Sequence, residues 1–298
     1  MTIQSAIEEF LIEQQVRGNS SKTIRHYKQT LGVFTEFSEQ ARPVADISLS
    51  LCKRYYVHLT QTGVSSITAQ TYIRALRTFL TWCFNEGYIA ENIPARFRCP
   101  KAQKKTIDVL TDEELKRLFS CFNLRTLTGA RNYAICALMV DSGLRLNEVV
   151  TLEMGNVRID AGYVIVNGKG NKQRTVPLGL QSKRALIRYL GRVPECSVQT
   201  ILFVKDTLLP IEYGTVQQLF RKLKARAGIP RLRPHLLRHS FATRYLQAGG
   251  DIYSLQQILG HTSLEMVKRY VHLLPQETIS SFPKFSPLDN LARKQSRP

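Results

Sequence analysis

Apolar residues recur at three- and four-residue steps through the first hundred positions. Ile3, Ile7, Phe10 and Leu11 mark one face of a helix over 3–16 that ends near Gly18. "SSKTIRHYKQTLGVFTEFSEQ" offers a serine cap and a second helix, and "ISLSLCKRYYVHLTQTG" a third that Gly63 stops. "SSITAQTYIRALRTFLTWCFNEGY" predicts a fourth, capped by serine and ended by Gly87. The pattern predicts a small helical bundle over 1–98. Periodicity then vanishes in "KAQKKT", between Pro100 and a fresh helix start at Thr111, whose "TDEE" is a capping-box pattern. Residues 99–106 therefore read as a linker between two domains.

The second part opens with helices in "TDEELKRLFSCF", "ARNYAICALMVDSG" and "RLNEVVTL". In the last of these, Leu146, Val149, Val150 and Leu152 must pack inward. The period changes to two in "GYVIVNGKGNKQRTVPL", where "NGKGNK" between apolar runs signals a hairpin turn. Helical spacing returns from Gln181 onward. The predicted fold class is mainly α with a small antiparallel β-sheet, and no internal repeat or low-complexity segment interrupts it. A chain of 298 residues suits two domains.

Charge sharpens this picture. The chain has 42 Lys+Arg against 23 Asp+Glu, a net +19, more than solubility requires, and a polyanionic partner is the leading expectation. Residues 1–98 hold 11 basic and 8 acidic side chains, so the remainder holds 31 and 15 and carries most of the excess. Charge alone does not separate DNA from RNA or from an anionic membrane surface. The six cysteines form no CxxC and no Cys/His cluster, and read as reduced thiols. The amphipathic, partly acidic "MTIQSAIEEFLIEQQ" fits no secretory or transit signal, and no apolar run approaches the roughly 20 residues of a membrane helix. A soluble, cytoplasmic protein is expected.

Several residues could carry chemistry, although each alone has an ordinary structural reading. In "RPHLLRHSFATRYLQAGG", Pro234 suits a first helical turn, and His235, Arg238 and His239 follow on one face near the amide-rich helix start, which favours anions. Arg145 follows the Gly143 break in "DSGLRLNEVVTL", and taken alone it reads as pairing with Glu148 or capping a neighbour. Lys169 sits at a glycine-flanked hairpin tip, His261 in a break after Gly260, and Tyr270 nine residues further on. No carboxylate cluster suggests a Mg²⁺ site; Asp141, Glu148 and Glu153 read as structural, and no metal or other cofactor is expected.

Taken together and in order, Arg145 in "SGLRLNEV", Lys169 in "NGKGNKQR", His235 and Arg238 in "HLLRHSFAT", His261 in "LGHTS" and Tyr270 in "RYVH" resemble the tyrosine recombinases, the phage-integrase family. The resemblance implies a SAM-like helical core-binding domain over 1–98 and a mixed α/β catalytic domain over 107–285. A tail over 286–298 would then be available for exchange between protomers. It further implies that Tyr270 attacks a DNA phosphodiester to give a covalent 3′-phosphotyrosyl bond, which conserves the ester for rejoining. His235 would serve as base, Arg145 and Arg238 would grip the non-bridging oxygens with a donor added by His261, and Lys169 would protonate the departing 5′ oxygen. Arg74, Arg77, Lys101, Lys104, Lys105, Lys172, Arg174 and His239 are the expected DNA-contacting residues.

The implied partner is double-stranded DNA with a specific site, bound by a homotetramer on two sites that exchanges strands through a Holliday junction. Participation of an accessory or partner recombinase stays open. The compact length leans toward Xer-like or simple mobile-element recombinases acting at the nucleoid. Two alternatives remain at this point: a type IB-like topoisomerase, which shares the chemistry without synapsis, and a non-catalytic DNA-binding regulator on the same fold.

Overall fold

The computed structural model describes residues 1–98, 108–168, 172–194, 200–260 and, beyond these, 263, 264 and 267. The expected linker over 99–106 with Lys101, Lys104 and Lys105, the hairpin-tip Lys169, His261, Tyr270 and the tail over 286–298 lie outside the described residues. The chain divides into two compact units, Met1–Lys105 and Thr106–Pro298.

The first unit is helical: α1 (Ile3–Val16), α2 (Ser21–Ser38), α3 (Leu49–Gln61), α4 (Ser66–Asn85) and the single turn α5 (Ile93–Arg96). Hydroxyl side chains start the four long helices. Thr2, Ser20, Ser48 and Ser65 each accept a backbone N–H three residues on, satisfying one of the donors that a helix start leaves orphaned. The apolar stripes of these helices converge on Phe10, which meets Phe79 and Trp82 at ring-centroid separations of 5.6 Å and Tyr27 at 5.2 Å. Phe34 packs edge-on against Tyr55 at 5.1 Å. Each such ring contributes about 2 kcal/mol by leaving water. Burial pushes the Cys52 and Cys83 thiols up to about 12, so these are core groups and not reactive ones.

The second unit opens with α6 (Asp112–Ser120), where Thr111 and Glu114 complete the expected capping box. α7 (Leu127–Asp141) is buried along nearly its whole length; its alanines let α9 (Leu180–Leu190) and α11 (Pro234–Gln247) approach closely. The short α8 (Leu146–Val150) follows the α7 break, and all four apolar residues expected to turn inward there are buried. Among the described residues the sheet has three strands where only a hairpin was legible: β1 (Val157–Arg158), β2 (Tyr163–Asn167) and β3 (Gln173–Pro177), antiparallel in that order. Two residues of β1 are too few to show a period. Val164 faces Val176, and Val166 faces Arg174 across the ladder. α10 (Tyr213–Arg226) precedes α11, and α12 (Ile252–Leu259) packs on β3 and α11.

α11 also holds the start of its own unit. Ser240 accepts the Leu110 N–H at 2.9 Å, Arg244 donates to the Leu110 carbonyl at 2.7 Å, and Arg231, in the loop before α11, pairs with Glu114.

Candidate active site

The α7–α8 turn is the centre of the site. Gly143 has φ +65°, and a Cβ there would lie 2.4 Å from the Phe241 ring and 3.0 Å from Leu259. Only glycine lets the turn close onto α11 and α12 while adopting a left-handed backbone. Two residues later, Arg145 stands at the N-cap of α8, one-third exposed.

Arg238 approaches the same turn from α11. Its buried guanidinium donates through Nη1 to the Gly143 carbonyl at 2.5 Å and through Nη2 to the Leu259 carbonyl at 2.6 Å. The side chain thus ties the turn that carries Arg145 to the last turn of α12. His235, one helical turn before Arg238, is exposed, and its ring lies 6.4 Å from that of the half-buried His239. Pro234 sits in the first turn of α11, as its fixed φ allows. α12 ends at Gly260 in the left-handed conformation, φ +61°, a glycine C-cap that turns the chain immediately before His261.

Glu148, buried in α8, lies against Arg145. Its carboxylate accepts the Arg145 backbone N–H at 2.8 Å and Arg145 Nη1 at 2.9 Å, and it takes a parallel pair of bonds from Arg174 Nη1 and Nη2, both 2.8 Å. Burial pushes this carboxyl up. The hydrogen bonds and charge of Arg174, with the amide and guanidinium of Arg145, outweigh that and hold it below the usual carboxylate range. Arg145 therefore does pair with Glu148, one of the two readings its sequence allowed.

Arg174 departs from expectation. Its side chain is 12% exposed and turned inward onto Glu148, with Nε donating to the Ile258 carbonyl at 2.7 Å, in place of the outward phosphate contact expected from its charge. Period two could have revealed this, because Arg174 shares a strand face with the buried Val176. Lys172, just before β3, is exposed. Arg74 and Arg77 are exposed on α4, although Arg77 donates to the Pro94 carbonyl at 3.0 Å. Exposed Arg221, Lys222, Lys224 and Arg226 on α10 were visible in the sequence only as part of the net charge. Among the described residues, no cluster of three or more His, Cys, Asp or Glu side chains is arranged to hold a metal ion, and no helix is long and apolar enough to cross a membrane.

Comparison with known proteins gives this geometry a context. Residues 3–101 match the phage integrase SAM-like domain, and residues 108–277 match the phage integrase family. The tyrosine recombinase XerD of Staphylococcus aureus is 29% identical over 96% of this chain and 99% of its own length. The tyrosine recombinase XerC of Anoxybacillus flavithermus is 31% identical over 89% of this chain and 91% of its own. In fold, the chain is similar to lambda integrase in a tetramer bound to a Holliday junction, with a TM-score of 0.71 at 20% identity over 88% of this chain and 78% of that one. A match to the second domain that spans more than half the chain places it: the chain belongs to the phage integrase family and is a tyrosine recombinase, an enzyme of site-specific DNA recombination.

Proposed function

We propose that the enzyme cleaves one DNA strand at a time through Tyr270. The phenol oxygen bonds to phosphorus as the bond from phosphorus to the 5′ oxygen breaks, and the phenol proton passes to His235. Lys169 supplies the proton that the departing 5′ oxygen needs. Arg145 and Arg238 neutralise the charge that gathers on the non-bridging oxygens, each offering planar paired donors, and His261 adds another. Attack by the 5′ hydroxyl of a second strand reverses these steps and releases the tyrosine, so no external energy source is required.

The observation that carries the reading is the attachment of Arg238 to both the Gly143 carbonyl and the Leu259 carbonyl. One side chain binds the turn bearing Arg145 to the helix end from which the chain continues to His261 and Tyr270. Strand exchange through a Holliday junction by four protomers on two duplex sites follows the relatives, and the excess of positive charge supports it. The site of action would be chromosomal or mobile-element DNA in the cytoplasm, with Arg74, Arg77, Lys101, Lys104, Lys105, Lys172 and His239 as contacts.

The test is a nicked duplex, selected from a random library by retention on the protein, that traps the covalent intermediate when the short fragment diffuses away. A protein–DNA adduct on a denaturing gel is expected for the wild type and none for Tyr270→Phe. Equal adduct from both would refute the assignment of Tyr270. Recombinant products from two site-bearing duplexes, as opposed to relaxed circles only, distinguish recombination from simple topoisomerase action.

A further inference from the structure

Three separate elements meet at one guanidinium. Arg174 belongs to β3, Glu148 to α8, and the Ile258 carbonyl to the last turn of α12; three of the five N–H donors of Arg174 are committed to the other two elements, at 2.7 to 2.8 Å. The stem of the side chain lies across Gly260, where a Cβ would stand 2.9 Å from Arg174 Cδ. The glycine that ends α12 is thus required twice, by its left-handed backbone and by the arginine packed over it. Arg145 shares the Glu148 carboxylate with Arg174, so the position of one guanidinium depends on the other.

A cation that holds DNA from outside the reaction site keeps its head in solvent on a flexible stem, whereas all three guanidinium nitrogens of Arg174 are bonded within the protein, two of them in a parallel fork on a buried carboxylate. Lysine could replace a point-charge contact, but it offers no parallel pair of donors to a carboxylate together with a third to a carbonyl.

We infer that Arg174 is a positioning residue for strand cleavage: it holds Glu148 against Arg145 and fixes the end of α12, and its charge is spent inside the protein and not on DNA. The inference rests on the cleavage chemistry proposed above. Removing Arg174 lets Glu148 and Arg145 shift together, which misaligns Arg145 on the scissile phosphate without taking it off that phosphate, and releases the end of α12. A misplacement of about 1 Å in such a site costs on the order of 100-fold in rate.

The experiment compares wild type, Arg174→Lys and Arg174→Gln as full chains on the same nicked duplex. It measures affinity against salt concentration, the adduct rate at saturating DNA, and that rate from pH 5 to 9. Both variants are expected to bind within about twofold of wild type with an unchanged salt slope, because no phosphate contact has been lost. Both are expected to form adduct on the order of 100-fold more slowly. In Arg174→Gln, Glu148 loses the hydrogen bonds and charge of Arg174 that hold its carboxyl down and, among the described residues, keeps only Arg145; it is protonated at higher pH than in the wild type, so the acid side of the rate profile moves upward. The folded fraction of each variant, read from its thermal melt at each pH, is divided out of the rate, so that a merely structural loss leaves no difference between the profiles.

The inference is overturned if Arg174→Lys cleaves normally, or if Arg174→Gln loses affinity and about one unit of salt slope while cleaving normally at saturation, the signature of a phosphate contact. Should Arg174→Gln melt below the assay temperature, Arg174→Lys decides the matter by itself. Absence of adduct from the wild type would instead refute the cleavage chemistry, a different failure that the wild-type lane reveals first.

Discussion

At the scale of single residues, the side chain on which most depends is an acid that touches no substrate in the proposed reaction. Glu148 is 4% exposed and faces two guanidiniums, and a buried carboxylate is tolerated only because both are there. Its folded value lies below the ordinary 4.5, so its stabilising effect is present in full above that value and is lost as pH falls through the depressed one. Glu148→Gln should destabilise the protein by about 3 kcal/mol at pH 7, chiefly by stranding Arg174. Thermal melts of both proteins from pH 7 to pH 3 check the sign: the gap should hold near neutrality and narrow below 4.5. A gap of constant width across that range would show that the charge of Glu148 contributes nothing.

At the scale of elements, the α7–α8 turn, α11 and α12 converge on Gly143, which has room for no Cβ. Gly143→Ala combines an unfavourable left-handed backbone, about 1 kcal/mol, with a contact that forces the Phe241 ring to shift, typically a further 1–3 kcal/mol. Adduct formation should fall by at least tenfold, while DNA affinity, which draws on surfaces away from the turn, changes little. A variant as stable and active as wild type would show that the turn can relax without cost. Much of this scaffold was legible in the sequence. α1 runs from Ile3 to Val16 as its apolar spacing requires, and the serines and Thr111 begin helices where capping chemistry puts them. Arg145, His235 and Arg238 stood out because glycine and proline punctuate the chain beside them. The partnership of Glu148 with Arg174 did not, since 26 residues and a change of element separate them, and only tertiary packing decides which way a half-buried arginine turns. The strand period carried a hint that its positive charge obscured.

At the scale of the whole molecule, net charge predicts an attraction to DNA that salt should weaken steeply. With +19 overall and most of it beyond residue 98, neutralising six to ten phosphates would lower affinity by about 10³ to 10⁵ between 50 and 200 mM salt. The total does not say which cations take part, and here burial divides two near neighbours. Lys172 is exposed beside the hairpin, whereas Arg174, two residues on, turns its guanidinium into the protein. Lys172→Ala should therefore weaken binding to all duplexes alike and reduce the slope of log affinity against log salt by about 1, with little effect on adduct rate at saturation. Arg174→Lys should do the reverse, leaving the slope intact and slowing cleavage. The two substitutions measured side by side separate charge that meets DNA from charge that organises the site, and equal slopes for Lys172→Ala and wild type would remove Lys172 from the contact surface.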